Sequence, residues 1–258
     1  MTELVHLNVD SGIATITLDS PANRNALSAQ LMNEFSTYLV TASNDAAVRS
    51  VVLAHTSSTF CSGADLSSTS ESGPSSSDPE RDMAQLAAIL RQMLECPKPI
   101  LSRIEGHVRG GGLGLVAACD FAVASLESSF AFSEVRLGVA PAIISLTVLP
   151  KLSSRAASKY FLTGDRFDAA EAERIGLITT GTDQPEAALQ QLTNSLQLCS
   201  PVGLAETKRL TTAVLLKDFA QQEAQLTELS ARLFASGEAQ EGIAAFKERR
   251  PPLWAQLG

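Results

Sequence analysis

Two short stretches near the start of the chain, "LVHLNVD" and "IATITLD", alternate apolar and polar residues on either side of Asp10-Ser11-Gly12. That period of two predicts a β-hairpin closed by a tight turn. The period then changes: in "NALSAQLMNEFSTYLV", Leu27, Leu31, Phe35 and Leu39 recur at helical spacing, and Ser28 is placed to cap the helix. "RSVVLAH" is an unbroken apolar run of strand length. After "TFCSGADL" comes "SSTSESGPSSSDP", serine-rich and without large apolar residues, which predicts a loop, either a lid over a site or plain solvated slack. Asp78-Pro79-Glu80 has the chemistry of a helix start, and Met83, Leu86, Ala87, Leu90, Met93 and Leu94 follow as one apolar face. "CPKP" ends that helix, "ILSRIEG" predicts a strand, Gly110-Gly111-Gly112 open a helix ending near Cys119, and "DFAVAS" predicts a further strand. From about Ser153 the pattern is almost wholly helical, in "SRAASKYFLTG", "DAAEAERIGL", "PEAALQQLTNSLQLC", "PVGLAETKRLTTAVLL" and two further helices. Strands alternating with helices and then a helical last fifth predict an α/β core with a helical appendage.

Composition narrows what such a core does. With 258 residues, 45% of them hydrophobic, the chain has enough apolar surface for one large core. A net charge of −8 argues against nucleic-acid binding, which needs a basic footprint. An anionic ligand must then be held by a few local cations or by backbone N–H groups. Cys61, Cys96, Cys119 and Cys199 are scattered without metal-ligand or disulfide-framework spacing, which fits reduced thiols in a cytoplasmic protein. "MTELVHLNVDSG" lacks the basic start and apolar stretch of a signal peptide, and the longest apolar run, "LGVAPAIISLTVL", is too short for a membrane span. The expectation is a soluble cytoplasmic protein.

Three stretches carry candidate chemistry. A strand, then Gly110-Gly111-Gly112, then a helix exposes N–H groups that have no intrahelical partner and no side chains in the way of an oxyanion. The glycines at 110, 111, 112 and 114 do not fit a dinucleotide fingerprint, and no Gly-Lys-Ser/Thr follows as in a P-loop. Tight packing of helix against sheet is the plainer explanation of the cluster. "FCSGADL" is a second strand-to-turn junction, with the Ala64 N–H near the strand end and Asp65 a possible helix cap. Two such junctions could offer two donors to one oxygen. In "FSEVRLGVAP" the acid candidate is Glu134; a surface ion pair with Arg136 is the alternative. No GxSxG elbow is present, and His6, His55 and His107 have no evident nucleophile partner.

Taken together and in order, "LDSPANRNALS", "FCSGADL", "KPILSRIEGHVRGGGLGLVAACDFAVAS", "FAFSEVRLGVAP", "LTGDRFDAAEAERIGL" and "EGIAAFKERRPPLW" make the chain resemble the enoyl-CoA hydratase/isomerase (crotonase) superfamily from end to end. The resemblance implies an α/β spiral of ββα units over residues 1–200. A C-terminal helical region, 201–258, would build homotrimers or hexamers. It implies an acyl-CoA substrate with no metal or redox cofactor. The thioester carbonyl would be held by the N–H groups of Ala64 and Gly111, with Glu134 as acid/base. Ser62, Asp65, Leu66, Gly112 and Pro141 would line the substrate, and CoA would meet Arg24 and a tail carrying Phe246, Lys247 and Arg249.

The chain departs from that pattern at Gly114, where family hydratases usually carry a second glutamate, and at Ala142-Ile143-Ile144, where many members have glycines. Resemblance to a bacterial hydratase subgroup favours an enoyl-CoA hydratase. A single acid favours an enoyl-CoA isomerase, and an acyl-CoA-binding homologue without catalysis is the third possibility. Arg109 is a candidate to read a charged acyl terminus, or a structural arginine on the rim.

Overall fold

The computed structural model describes residues 2–66 and 79–256, so the expected serine-rich loop and the capping role of Asp78 lie outside the described residues. The N-terminal hairpin pairs β1 (Val5–Asp10) with β2 (Ile13–Leu18) through Ser11 and Gly12, both at positive φ (49° and 78°). That conformation suits a two-residue turn whose twist matches the strands. α1 (Ala29–Asn44) starts just after Ser28, whose hydroxyl accepts the Leu31 N–H at 3.3 Å. Leu31, Phe35 and Leu39 are buried as the spacing predicts, whereas Leu27 stays outside the helix.

The chain then repeats one unit three times: a strand in a first sheet, a strand in a second sheet, a helix. The units are β3 (Ser50–His55), β4 (Thr59–Cys61) and α2 (Pro79–Glu95); β5 (Ile100–Ile104), β6 (His107–Arg109) and α3 (Gly111–Ala118); β7 (Phe121–Ser125), β8 (Ser129–Ala131) and α4 (Ala142–Val148). Corresponding strands pair in parallel, with Val51 opposite Ile100, Leu101 opposite Phe121, and His107 opposite Ser129. This is the expected α/β spiral of ββα units. α5 (Ser154–Thr163), β9 (Phe167–Asp168), α6 (Ala169–Arg174), β10 (Thr180–Thr182), α7 (Pro185–Gln197), α8 (Pro201–Phe234) and α9 (Gly237–Glu248) follow. The first sheet runs β1-β2-β3-β5-β7-β10 and the second β4-β6-β8-β9.

Two differences from the sequence pattern have simple causes. The short strands β9 and β10 complete sheet edges inside a stretch that reads as helical, because pairing with β8 and β7 overrides local preference. α8 continues without a break beyond Leu216, since nothing from Leu216 to Phe234 is glycine or proline. α8 is tied to the core by Lys208, which is 5% exposed. Its ammonium meets Asp120 at 2.8 Å and donates to the Met93 and Lys98 carbonyls at 3.0 and 3.1 Å. Among the described residues no helix is long and apolar enough to cross a membrane.

Candidate active site

The segment before α1 is folded back onto β4. Arg24 and Asn25 both adopt positive φ (59° and 54°), which asparagine tolerates better than most residues. The cost is offset by Asn25, fully buried, whose amide donates to the Thr59 carbonyl at 2.9 Å and accepts the Ser20 N–H at 2.6 Å. The Arg24 carbonyl accepts the Ser62 N–H at 3.1 Å, the Ser62 hydroxyl donates to the Asn23 carbonyl at 3.1 Å, and the Asn23 amide reaches Asp65 at 3.3 Å. Asp65 therefore fastens this turn. Whether it also caps a helix turns on residues 67–78, which lie outside the described residues.

Leu27 forms a parallel bridge with Ala64, its N–H donating to the Gly63 carbonyl at 2.9 Å. In that arrangement the Ala64 N–H points away from Leu27. Gly111 is the first residue of α3, where N–H groups lack intrahelical acceptors. Neither N–H donates a hydrogen bond to another described residue.

The two junctions meet. A Cβ on Gly63 would stand 3.3 Å from the Arg109 carbonyl oxygen and 3.6 Å from the Gly110 Cα, so the turn after β4 lies against the turn after β6. Gly111 sits beneath Leu27, whose Cδ1 would be 2.6 Å from a Cβ there, and a Cβ on Gly112 would fall 2.7 Å from the Cys61 Cβ. The plainer explanation of the cluster, close packing, thus holds for Gly112.

Glu134 lies in a 3-10 turn, Ser133–Leu137, just after β8. The entry to the turn is fixed by Phe132, fully buried and packed on Phe161 with ring centres 4.5 Å apart. The turn places Glu134 Oε1 3.4 Å from where a Gly110 Cβ would be. Its Oε2 is buried and has no hydrogen-bond partner among the described residues. Burial pushes the carboxyl up to about 7, opposed only by a backbone hydrogen bond. A buried polar atom without a partner is rare and calls for an explanation. The surface-pair alternative does not apply, since Arg136 turns to Asp165 (2.5 Å) and the Thr163 carbonyl (2.9 Å).

Gly114 has a clear spatial reason. A Cβ there would fall 2.7 Å from Ile144 Cγ2 and 3.4 Å from Leu90 Cδ1. α3 and α4 approach closely at this point, and the Thr147 hydroxyl donates to the Gly114 carbonyl at 3.1 Å. Ile144 occupies the space a side chain at 114 would need, and no residue number along the chain signals that pairing.

The remaining candidates are distributed as follows. Arg24, Ser62, Asp65, Gly111 and Gly112 belong to the joined turns around Gly63 and Gly110, with Leu66 directly after them. Pro141 precedes α4, its carbonyl accepting the Ser145 N–H at 3.1 Å. Phe246 and Lys247 at the end of α9 and Arg249 just after it are exposed. Arg109 is structural: it donates to the Val108 and Ser129 carbonyls at 2.8 and 2.6 Å and to the Ser129 hydroxyl at 2.8 Å. His107 bonds Ser129 at 2.9 Å, and His55 accepts the Glu105 N–H at 3.0 Å. Gly63 and Gly110, which bring the two turns together beside the acid, were read from sequence only as parts of their local motifs, and Ile144 only as bulk after Pro141. Among the described residues no group of three or more His, Cys, Asp or Glu is placed to hold a metal.

Comparison with known proteins identifies the family and the fold. The family model described as enoyl-CoA hydratase/isomerase matches residues 8–257. A crystal structure of an enoyl-CoA hydratase from Mycobacterium avium superposes with a TM-score of 0.90 at 50% identity, covering 98% of this chain and 100% of that one. The carnitinyl-CoA dehydratase of Escherichia coli O157:H7 is 30% identical over 264 residues, 98% of this chain and 99% of that protein. The peroxisomal Delta(3,5)-Delta(2,4)-dienoyl-CoA isomerase of Arabidopsis thaliana is 27% identical over 273 residues, 99% of this chain and 97% of that protein. The chain belongs to the enoyl-CoA hydratase/isomerase family, the acyl-CoA-processing enzymes of the crotonase type.

Proposed function

We propose that this protein is an enoyl-CoA hydratase that adds water across a 2-enoyl-CoA with Glu134 as its one acid/base. The observation that carries the proposal is the buried Glu134 Oε2, without a partner among the described residues, beside the abutting Gly63 and Gly110 turns. The N–H groups of Ala64 and Gly111 hold the thioester oxygen and stabilise the enolate that any chemistry at the α-carbon must pass through. Each such donor is worth roughly 10²–10³ in rate. Water attacks C3 and gives a proton to Glu134, the electrons of the double bond move onto the thioester oxygen, and Glu134 returns the proton to C2. The sum is H and OH added across the double bond. A carboxyl held near 7 is poised to take and give that proton near neutral pH.

Ser62, Asp65, Leu66, Gly112 and Pro141 line the acyl thioester, and Arg24 meets the CoA phosphates. In a homotrimer or hexamer built through residues 201–258, Phe246, Lys247 and Arg249 of a neighbouring copy complete the CoA site. The reaction needs no metal or redox group, and the soluble substrate fits a cytoplasmic enzyme. The identity to the Mycobacterium avium hydratase favours this reading over others.

A second reading is favoured by Ile144. It fills with an apolar side chain the space at Gly114, where a second acid able to hold water would stand. The same glutamate would then carry a proton from one carbon of the enolate to another, which is double-bond isomerisation. Incubation with 2-enoyl-CoA and with 3-enoyl-CoA separates the readings. Hydration of the 2-enoyl thioester without migration in the 3-enoyl one is expected; the reverse result replaces hydratase by isomerase. Tight thioester binding with neither reaction replaces both by a non-catalytic acyl-CoA-binding protein. Glu134→Gln is expected to lower turnover by about 10³-fold or more.

A further inference from the structure

α9 approaches the turn that carries Glu134 through backbone alone. A Cβ on Gly242 would stand 2.5 Å from both the carbonyl carbon and the oxygen of Leu137, inside the usual contact of about 3.5–4.0 Å. From the other side, a Cβ on Gly138 would fall 2.6 Å from the Glu238 carbonyl oxygen and 2.9 Å from the Ala239 nitrogen. Gly138 closes the turn at φ 77°, its N–H returning to the Glu134 and Val135 carbonyls, so it is held there by conformation as well as by space. The seam has no give, because Ala239 and Ala245 beside it are also buried. The far end of α9 is clipped by Arg250, whose guanidinium takes both oxygens of Glu241 at 2.7 and 2.9 Å.

We infer that Gly242 is a positioning residue for Glu134: by letting α9 lie directly on the turn, it sets where the carboxyl stands against Gly110. The inference rests on Glu134 being the acid/base. A turn of five residues pinned by Phe132 at one end and Gly138 at the other transmits a push to the side chain between them. The charged groups on the surrounding elements are Arg136 and Asp165, paired with each other; Arg155 and Lys159 on α5, the latter 3.0 Å from the Tyr160 hydroxyl; Glu238, Glu241, Lys247 and Glu248 on α9, with Glu241 and Glu248 paired with Arg250; and Arg109, bound to β8. The Glu134 carboxyl owes its setting to burial and not to any of these.

The test is Gly242→Ala in the full-length protein, with Glu134→Gln and Gly237→Ala alongside. Gly237 lies in the same helix with nothing within 4 Å of an added Cβ, so its variant controls for a change in α9 itself. Gly242→Ala is expected to lower kcat roughly 10- to 100-fold with KM little changed. The acidic limb of its kcat–pH profile should move toward lower pH as the carboxyl gains solvent. Gly237→Ala should match the wild type. Gly138→Ala presses the same seam from the turn. Ala239→Gly thins the seam where the Ala239 backbone meets Gly138 and carries the test if neither glycine variant folds, with a smaller loss of kcat expected. A folded seam variant with unchanged kcat and pH profile overturns the inference. Full activity in Glu134→Gln instead overturns the reading on which it rests.

Discussion

Glu134 and Glu171 are the same residue in two opposite settings. Glu171, in α6, accepts the Tyr160 hydroxyl at 2.6 Å and the Arg174 guanidinium at 2.5 and 2.7 Å. Those hydrogen bonds, Arg174 first, hold its carboxyl down to about 2. Glu134 has an oxygen with no partner among the described residues and a carboxyl raised to about 7 by burial. The first carboxylate is satisfied and stays ionised, so it stabilises the fold and has no proton to exchange near neutral pH. The second is held in an unfavourable state by the structure around it, and that state lets it act.

The contrast is broken most severely at Gly114. Gly114→Glu would force a second carboxyl against Ile144 and Leu90. Overpacking together with a buried charge is expected to cost about 3 kcal/mol or more in denaturant unfolding. Trimming the obstacle in Gly114→Glu/Ile144→Ala should recover part of it. A single variant as stable as the wild type would mean that Ile144 does not fill this space.

A smaller effect sharpens the comparison through pH. Below about 4.5 the Glu134 carboxyl is protonated in both folded and unfolded chains and contributes nothing to the balance. Between 4.5 and 7 the unfolded carboxyl ionises first, so folding loses up to about 1.4 kcal/mol per pH unit, and above 7 the penalty is complete. Glu134→Gln should therefore be more stable than the wild type at pH 8, by about 1–3 kcal/mol, with the gap closing as pH falls to 4.5. Glu171 has the opposite sign: its stabilisation is present above its unfolded value of 4.5 and is lost as pH falls toward 2. Glu171→Gln should cost about 1 kcal/mol at pH 7 and leave kcat within a few-fold. Equal pH dependence of unfolding in the two variants would erase the distinction.

Much of the frame was legible because local pattern and tertiary role agree. The hairpin, α1 with its Ser28 cap, α2 with Leu86, Leu90 and Met93 buried, and the strand-to-glycine junction before α3 each carry their own signal. α4 did not, since six of its seven residues are buried and no polar face marks a period. β9 and β10 were hidden because they exist only through their partners. The site divides in the same way. The junctions at Ala64 and Gly111 were visible as local motifs, and Glu134 stood out as an acid after a strand. The abutment of Gly63 on Gly110, the filling of the Gly114 space by Ile144, and the seating of Gly242 on Leu137 join residues far apart in the chain. The Glu134–Arg136 alternative failed for a geometric reason: residues two apart in a 3-10 turn do not share a face, which frees Arg136 for Asp165.

The central claim is that Glu134 moves a proton at the α-carbon of an acyl-CoA, whatever the overall reaction. Exchange of the α-hydrogen of a saturated acyl-CoA in D2O, followed by mass spectrometry, measures that step alone. The wild type is expected to introduce deuterium at the α-carbon and Glu134→Gln to show background exchange only. Exchange by the variant at the wild-type rate, or none by the folded wild type, would contradict the account.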